Sequence, residues 1–432
     1  MEKIRDKINI RFKKFITRSE HPFFKDYKRI NKISEDFLRY QKHTIIGKIN
    51  YNENIKIPKD IKFTGTKNEL LDKNDLKQLN TEIKKSLNYF TIFKLVSKIS
   101  RYFIRENELS SKNYNKNNKT ILIIGSGPTG LFLACYLKLT YEDINVILCD
   151  NRINKPGFRK PYTRVRPFST SSKYLSLIIP KLYCMTNNDY VNLINIFILE
   201  YLLYSKALLD YDISILYNDY DWNDYKKMIS KYDIDVVFDC TGGRLKTDIF
   251  KKIDDSWLKN TINKDIKKQL MIIKEKNLVH LVDYPSEKKF KLNHFYASIN
   301  LYDEDMMFVK KEDIDIMNKD DLMYLNSIKK KHFKYDDMIY LLSGIKNDIT
   351  RNYSYNYLLE YQTKKYYYMI DVWSIYIRHT IKPSEIFVVD GKDRLFISAG
   401  DTLYHSHFIT GAGLNKTINL AVYSANQLNH IL

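Results

Sequence analysis

Three of the chain's few glycines are concentrated in one short stretch, ILIIGSGPTGLFLACYL, at residues 121–137. Gly125, Gly127 and Gly130 fall within six residues, although the 432-residue chain has only 13 glycines. A β-branched run precedes them and an apolar stretch with helical spacing follows, which predicts a buried strand, a turn and a helix. A second apolar run, NVILCD, predicts another strand that ends at Asp150, 20 residues after Gly130.

Glycines between a strand and a helix, with an acid after the next strand, are typical of a dinucleotide site. Gly125 permits the tight turn, Gly127 lets a pyrophosphate approach the backbone, and Gly130 lets the helix pack close to the strand. N–H groups at the helix N-terminus would bind phosphate, and Asp150 is placed to bind ribose hydroxyls. The alternative is a glycine turn that only packs. The predicted contacts are Gly125, Ser126, Gly127, Pro128, Thr129, Gly130 and Asp150.

A second glycine-rich helix start lies near the C-terminus, in the sequence DRLFISAGDTLYHSHFITGAGLN. A strand is predicted over 395–398, and a helix from the TGAGLN segment at 410–415 through Leu428. An Asp after a strand can hold a ribityl hydroxyl, and the free N–H groups of the helix start can face a flavin pyrimidine ring. Their dipole would stabilise negative charge on reduced flavin. The predicted contacts are Gly400, Asp401, Gly411, Ala412, Gly413, Leu414 and Asn415.

This pair of motifs resembles the FAD-dependent monooxygenases of the p-hydroxybenzoate hydroxylase fold. The segment 400–415 matches the usual GDAxHxxxPxxGxGxN of that family without a gap. The chain further resembles the MICAL-type flavin monooxygenase domain, which has a helical, basic segment before the first glycine motif. That domain has the sequence EKR where this chain has CDNR, so Asp150 and Arg152 occupy matching places. A WPF-like segment follows there, and RVRPFS stands in its place here. The resemblance covers roughly residues 80–250 and 390–432, and implies that Asn151 and Arg152 also contact the cofactor.

A third glycine turn follows the apolar strand IDVVFD and is similar to the family's third FAD-contacting turn, often GADGxxS. Thr241 and Gly242 are therefore further predicted contacts. The family's Asp is replaced by Thr241, which leaves the identity of the reductant open, and the usual Pro near His407 is missing. The three turns together hold eight of the 13 glycines: 125, 127, 130, 242, 243, 400, 411 and 413.

The resemblance implies an FAD-dependent oxidoreductase, a monooxygenase fed by NADPH or NADH that acts through a flavin C4a-hydroperoxide. The flavin would do the chemistry, so no acid–base pair is required. His407 and Arg164 are the catalytic candidates, and His405, Arg159 and Arg166 could also face the flavin or the substrate. For each of these five the alternative is a structural histidine or a surface or phosphate-neutralising arginine. A halogenase is disfavoured because WxWxIP is missing. The alternative is a catalytically degenerate FAD-binding protein with a structural or partner-docking role.

The expected fold class is α/β: a Rossmann-like FAD-binding domain of the p-hydroxybenzoate hydroxylase type, with an inserted substrate domain that contains a sheet. We assign residues 119–250 and 391–432 to the FAD domain and 251–390 to the second domain. Residues 1–118 are a basic, mostly helical N-terminal extension. The substrate, a small molecule or a protein side chain, is not predicted.

The N-terminal region carries most of the chain's positive charge. Residues 1–118 hold 28 Lys/Arg and 14 Asp/Glu, and so carry +14 of the +20 net charge. This charge could attract an anionic partner, or it could be a solvated surface. Four cysteines without metal-ligand spacing indicate a reduced, cytoplasmic protein, and no run is apolar enough for a signal peptide or a transmembrane helix.

Overall fold

The computed structural model describes most of the chain outside its N-terminal quarter. The described residues are 1–16, 70–71, 73–85, 103–104, 114–151, 165–167, 173–179, 193–217, 220–250, 253, 256, 270–273, 277–281, 294–302, 308–315, 319–329, 331–360, 366–375, 377–405 and 412–431.

Strands and helices alternate through much of this part of the chain. The strands are Leu70–Leu71 (β1), Phe103–Ile104 (β2), Lys119–Ile124 (β3), Ile144–Asp150 (β4), Val165–Pro167 (β5), Leu193–Asn195 (β6), Ser214–Tyr217 (β7), Ile234–Asp239 (β8), Leu270–Ile273 (β9), Leu278–Leu281 (β10), His294–Tyr302 (β11), Phe308–Asp315 (β12), His332–Phe333 (β13), Tyr367–Ile375 (β14), Arg378–Thr380 (β15), Ser384–Val389 (β16), Lys392–Ser398 (β17) and Tyr404–His405 (β18). The helices are Glu2–Ile16 (α1), Lys73–Lys85 (α2), Pro128–Thr140 (α3), Lys173–Ile178 (α4), Ile196–Leu209 (α5), Trp222–Lys231 (α6), Lys319–Ile328 (α7), Tyr335–Leu342 (α8), Asp348–Glu360 (α9) and Ala412–Asn426 (α10).

The first compact unit is built around a six-stranded sheet of order β16-β17-β8-β3-β4-β7. Neighbours from β17 to β7 run parallel, and β16 pairs antiparallel at the edge. Strands β4, β7 and β8 are buried at every residue, as expected for a parallel sheet covered on both faces. The prediction of a mixed α/β fold with a parallel sheet is confirmed, and the strands predicted beside the glycine turns are present.

Helix α3 connects β3 to β4 and lies in the core of this unit. Its residues from Pro128 to Leu137 are all buried, and it packs against α5 and α10. This part of the helix is therefore covered on every side, as its mostly apolar sequence requires. A smaller sheet of order β18-β15-β10-β9 belongs to the same unit, and its strand β18 lies within the second glycine motif, shortly after Asp401.

The N-terminal helix α1 also packs in this unit, against β16. Its buried residues recur every four positions, which gives the helix one apolar face: Ile4, Ile8, Phe12 and Ile16. Asn9 bonds both the backbone and the hydroxyl of Ser384 on β16. The domain boundaries at 118, 250 and 390 stay predictions, as does an anionic partner for the basic N-terminal region.

The second compact unit contains a sheet of order β12-β11-β14-β13 and the helices α7, α8 and α9. Its strand pairs are antiparallel, and its core joins sheet residues such as Ile299 and Ile370 to helix residues such as Leu325 and Leu342. Among the described helices of either unit, none combines the length and apolar character that crossing a membrane requires.

Candidate functional site

The first glycine turn lies where β3 ends, between the neighbouring strands β4 and β8. The Gly125 N–H donates to the Cys149 carbonyl at 2.7 Å, and Gly125 has φ +105°, a conformation that side chains disfavour. A Cβ on Gly125 would lie 2.8 Å from the Cys240 carbonyl, and one on Gly130 only 1.9 Å from the Gly125 carbonyl oxygen. Both glycines are therefore required by close backbone approach, Gly125 beside the end of β8 and Gly130 where α3 passes the turn.

Helix α3 presents an N-terminus without a side-chain cap to this turn. Gly127 is its N-cap residue and Pro128 occupies the first helical turn, so no side chain accepts from the first N–H groups. Such groups are unsatisfied inside the helix and bear part of the positive end of its dipole. Phosphate binding at this helix N-terminus stays a prediction.

Asp150, the predicted ribose ligand, first of all holds the glycine turn. Its Oδ2 accepts from the Ser126 N–H at 2.7 Å and from the Ser126 hydroxyl at 2.9 Å. The carboxylate is buried yet borders the cavity described below. A carboxylate offers about four lone-pair positions, so it can hold the turn and still accept from a ligand hydroxyl.

The two sequence-distant glycine motifs meet in space. Gly400 has φ +60°, and a Cβ there would lie 3.1 Å from the Thr129 Cβ in the first turn of α3. The third turn joins them, since a Cβ on Gly242 would lie 3.7 Å from the Asp401 Cβ. The Gly243 N–H donates to the Thr402 hydroxyl at 2.9 Å. The structure therefore brings all three predicted glycine turns together at the carboxyl ends of the neighbouring strands β3, β8 and β17.

A buried carboxylate that the sequence analysis missed fixes the third turn. Asp239, at the end of β8, accepts from the Thr241 N–H at 2.9 Å and the Thr241 hydroxyl at 2.7 Å. It also accepts from the Thr402 hydroxyl at 3.3 Å. Burial raises the pKa of Asp239, while these hydrogen bonds oppose the rise. Asp239 thus links the third turn to the second motif, and its place at a strand end was the signal available in the sequence.

The hydroxyl of Thr241 forms its hydrogen bonds with the third turn and with the end of β8. Its hydroxyl accepts from the backbone N–H groups of Arg244, at 3.1 Å, and Leu245, at 3.0 Å, while donating to Asp239. This is a side-chain-closed turn of the kind that Thr forms readily. A threonine engaged in this way holds backbone and carries no charge, unlike the aspartate that the resemblance would place here.

The side chain of Arg378, on a strand far along the sequence, also contacts the third glycine turn. Arg378 of β15 donates through Nη2 to the Gly242 carbonyl, and its guanidinium would be 3.4 Å from a Cβ on Gly243. Burial lowers the pKa of Arg378, and the nearby Asp401 and Asp239 oppose that effect. Sequence reasoning had no signal for this residue, because it lies 136 positions from the glycine that it contacts.

A cavity of about 570 Å³ opens beside the first and third turns. This volume is within the range of ordinary small-molecule and cofactor sites. Glycine backbone lines one side, at Gly125 and Gly127, and Asp150 and Arg244 add charges of both signs. The aromatic side of the cavity includes Trp222, at the start of α6. Polar, charged and aromatic groups are thus available together, as the parts of a nucleotide require.

The remaining predicted residues are partly within the described part of the chain. Ala412, Gly413, Leu414 and Asn415 form the first turn of α10, as predicted. The His405 Nε2 lies 3.8 Å from Asp401 Oδ2. Arg166 lies in β5. Arg152, Arg159, Arg164, His407 and Gly411 lie outside the described residues.

The described residues hold no cluster of three or more His, Cys, Asp or Glu side chains able to bind a metal ion. Cys240 borders the cavity, and burial, together with the nearby Asp239, raises the pKa of its thiol well above the usual value. A thiol of this kind is a poor nucleophile, since the thiolate is the reactive form. Cys240 is therefore a poor candidate for a nucleophile at this site.

No known protein family matches this sequence, and no curated protein matches it. Among solved structures, the chain matches the tetracycline destructase Tet(51) at 11% identity and a TM-score of 0.36, over 72% of this chain and 82% of that chain. The p-nitrophenol 4-monooxygenase PnpA from Pseudomonas putida DLL-E4 has 11% identity and a TM-score of 0.38 over 72% and 81%. CtdE, solved in complex with FAD and substrate 4, has 11% identity and a TM-score of 0.37 over 71% and 80%. These scores are below 0.5, so the ligand of this chain has to be inferred from its own residues.

Proposed function

We propose that this chain is an FAD-dependent oxidoreductase, and specifically a monooxygenase supplied with electrons by NADPH or NADH. The observation that carries the proposal is the meeting of three glycine turns, at Gly125, Gly242 and Gly400, on one edge of a parallel sheet. Ligands of open α/β sheets bind outside the carboxyl ends of the strands. The nearer resemblance to the MICAL-type domain stays a prediction.

The residues present fit a dinucleotide. The uncapped N-terminus of α3 suits the pyrophosphate, and Asp150 suits the ribose at the wall of the cavity. Trp222 and the apolar part of that cavity suit an adenine ring. At the other motif, the half-exposed Asp401 carboxylate and the N-terminus of α10 suit the ribityl chain and the ring.

Bound FAD would supply hydride acceptance and oxygen activation, chemistry that protein side chains lack. The chain's own contribution would be binding and electrostatics. The positive end of the α10 dipole would favour negative charge on the ring, and would do so more strongly in its reduced state. Gly400 permits the close approach of Asp401 to α3, since any larger residue would press on Thr129.

The competing function is an FAD-binding protein that does not turn over. One observation favours it: Thr241 stands where the resemblance would place an aspartate, and its hydroxyl is used within the turn. If that aspartate is needed for use of a nicotinamide nucleotide, FAD would serve here as a folding ligand. The two functions share the cofactor and differ only in turnover.

Two measurements test the proposal. The chain loaded with FAD is mixed with NADPH or NADH without oxygen, and loss of the oxidised flavin absorption is followed. Oxygen uptake is then measured after air is admitted. Reduction followed by oxygen consumption supports the monooxygenase. Stable, unreduced FAD with either nucleotide would support the structural alternative instead.

Site variants test where the cofactor binds. Gly127→Val places a branched side chain at the N-cap of α3, where the phosphates are proposed, and should abolish FAD binding. Asp401→Ala should weaken FAD binding by about 1–3 kcal/mol, the scale of one hydrogen bond to a charged group. Gly413→Val should change the midpoint potential of bound FAD more than its affinity. Gly391→Ala is a control, because a Cβ there meets nothing within 4 Å. Parental FAD binding in the first two variants would mean that the ligand lies elsewhere.

A further inference from the structure

Arg378 lies in the small sheet of order β18-β15-β10-β9, whose strand β18 is part of the second glycine motif. Its backbone lies opposite His405 in the antiparallel pair β15–β18, and β15 pairs with β10 on its other side. The neighbouring Thr380 N–H donates to the Leu403 carbonyl at 3.0 Å. The main chain of this strand is therefore attached directly to the segment that carries Asp401.

The Arg378 side chain reaches a different element. Through Nη2 it bonds the Gly242 carbonyl, and its guanidinium covers Gly243, as the 3.4 Å approach to a Cβ there shows. Both glycines have positive φ, +72° and +74°, a conformation that is not held by any side chain of their own. Arg378 thus restrains the third turn from outside.

The charges around Arg378 favour this arrangement. Asp401 and Asp239 both stabilise the guanidinium, whereas the second cation, Arg244, opposes it. Asp239 is itself bonded to Thr241 and to Thr402, so the network of carboxylates and cation reaches both motifs. Within the described residues, Arg378 Nε is buried and has no hydrogen-bond partner. Burial of such a donor costs free energy.

We propose that Arg378 is a positioning residue that joins the third glycine turn to Asp401, so that both meet the ligand as one unit. The proposal rests on the proposed function only for the identity of that ligand. The contacts of Arg378 with the third turn and with the segment that carries Asp401 are present in the ligand-free chain. Arg378 fits this role because its forked guanidinium is rigid and keeps its charge when partly buried.

Arg394 provides a matched control. It is a buried arginine of the same unit, on β17, and like the partly buried Arg378 it has a buried Nε without a partner among the described residues. Its side chain pairs with Asp233 and not with a glycine turn. Arg378→Met and Arg394→Met each remove one guanidinium whose Nε is buried, so they separate loss of positioning from loss of stability.

The experiment compares amide hydrogen exchange in the ligand-free parent and the two variants, followed by FAD titration and the midpoint potential of the bound flavin. In Arg378→Met, exchange should rise in both segments, 241–245 and 400–405, the FAD Kd should rise about tenfold, and the potential should shift. Arg394→Met should leave all three at parental values. If Arg378→Met does not fold, Arg378→Lys, which keeps the charge and loses the fork, takes its place.

Some outcomes would overturn the proposal. These are faster exchange in only one of the two segments, parental exchange in both, or equal effects of the Arg378 and Arg394 variants. A parent that binds no FAD would contradict the proposed function. The exchange comparison would then by itself test whether Arg378 connects segments 241–245 and 400–405. Parental FAD binding by Arg378→Met would contradict the positioning role while leaving the proposed function intact.

Discussion

The substitution Gly130→Ala tests the packing on which the candidate site depends. In an ordinary helix this change stabilises by about 1 kcal/mol, because alanine is the better helix former. Here the added Cβ would lie 1.9 Å from the Gly125 carbonyl oxygen and 3.4 Å from the Cys240 Cβ. Carbon–oxygen contacts normally stay at about 3.3 Å or more, so the Cβ and the carbonyl oxygen must separate by about 1.4 Å, which α3 and the turn have to accommodate. Overpacking of this kind costs about 1–3 kcal/mol or more, which reverses the expected sign.

The free energy of unfolding of Gly130→Ala is measured by urea denaturation, together with its FAD affinity. We expect destabilisation by about 1–3 kcal/mol and loss of FAD binding, since the helix N-terminus moves away from the Gly125 turn. Gly391→Ala is the control, because its φ of +75° imposes backbone strain of about 1–2 kcal/mol without any contact within 4 Å. It should lower stability and leave FAD binding unchanged. A Gly130→Ala variant as stable as its parent, or more so, would refute the close approach of α3 to the turn.

Three further predictions concern the same unit. Phe12→Ala should lower the unfolding free energy by about 3–5 kcal/mol in urea, because Phe12 is 2% exposed and packs on His379; an unchanged value would mean that α1 is not part of the unit. Burial raises the pKa of Asp239 from its ordinary 3.8, so the native state holds the proton more tightly than the unfolded chain does, and stability should fall as pH rises from 3.8 through the raised pKa. Asp239→Asn should remove that decline, and parallel pH–stability curves of variant and parent would contradict it. Cys135 and Cys240, whose thiol pKa values burial raises, should resist iodoacetamide in the native protein at about pH 8, and rapid labelling found by mass spectrometry would exclude this.

Local sequence patterns were sufficient to predict the strand–turn–helix around Gly125 and Gly130. The requirement for glycine there is local, since it follows from the geometry of one turn and the helix that continues from it. The same holds for the strand before Gly400 and the helix that begins at Ala412. The resemblance assigns both motifs to one domain. In the structure they lie so close that a Cβ on Gly400 would be 3.1 Å from the Thr129 Cβ.

The bonds that join the turns could not be predicted from the sequence. Arg378 lies 136 residues from Gly242, and Thr402 lies 163 residues from Asp239, so only the folded sheet brings them together. Asp150 was predicted to bind ribose, but its bonds to Ser126 depend on the orientation of a turn that spacing alone does not fix. The roles predicted for the site residues remain predictions.

The flavin content of the purified chain decides whether the three glycine turns bind FAD. The protein is incubated with FAD, freed of unbound ligand by gel filtration, and examined by visible absorption and by chromatography of the released cofactor. We expect one FAD per chain, with the two absorption bands of oxidised flavin, and none in Gly127→Val. A colourless protein that retains no FAD would show that these turns do not bind the flavin.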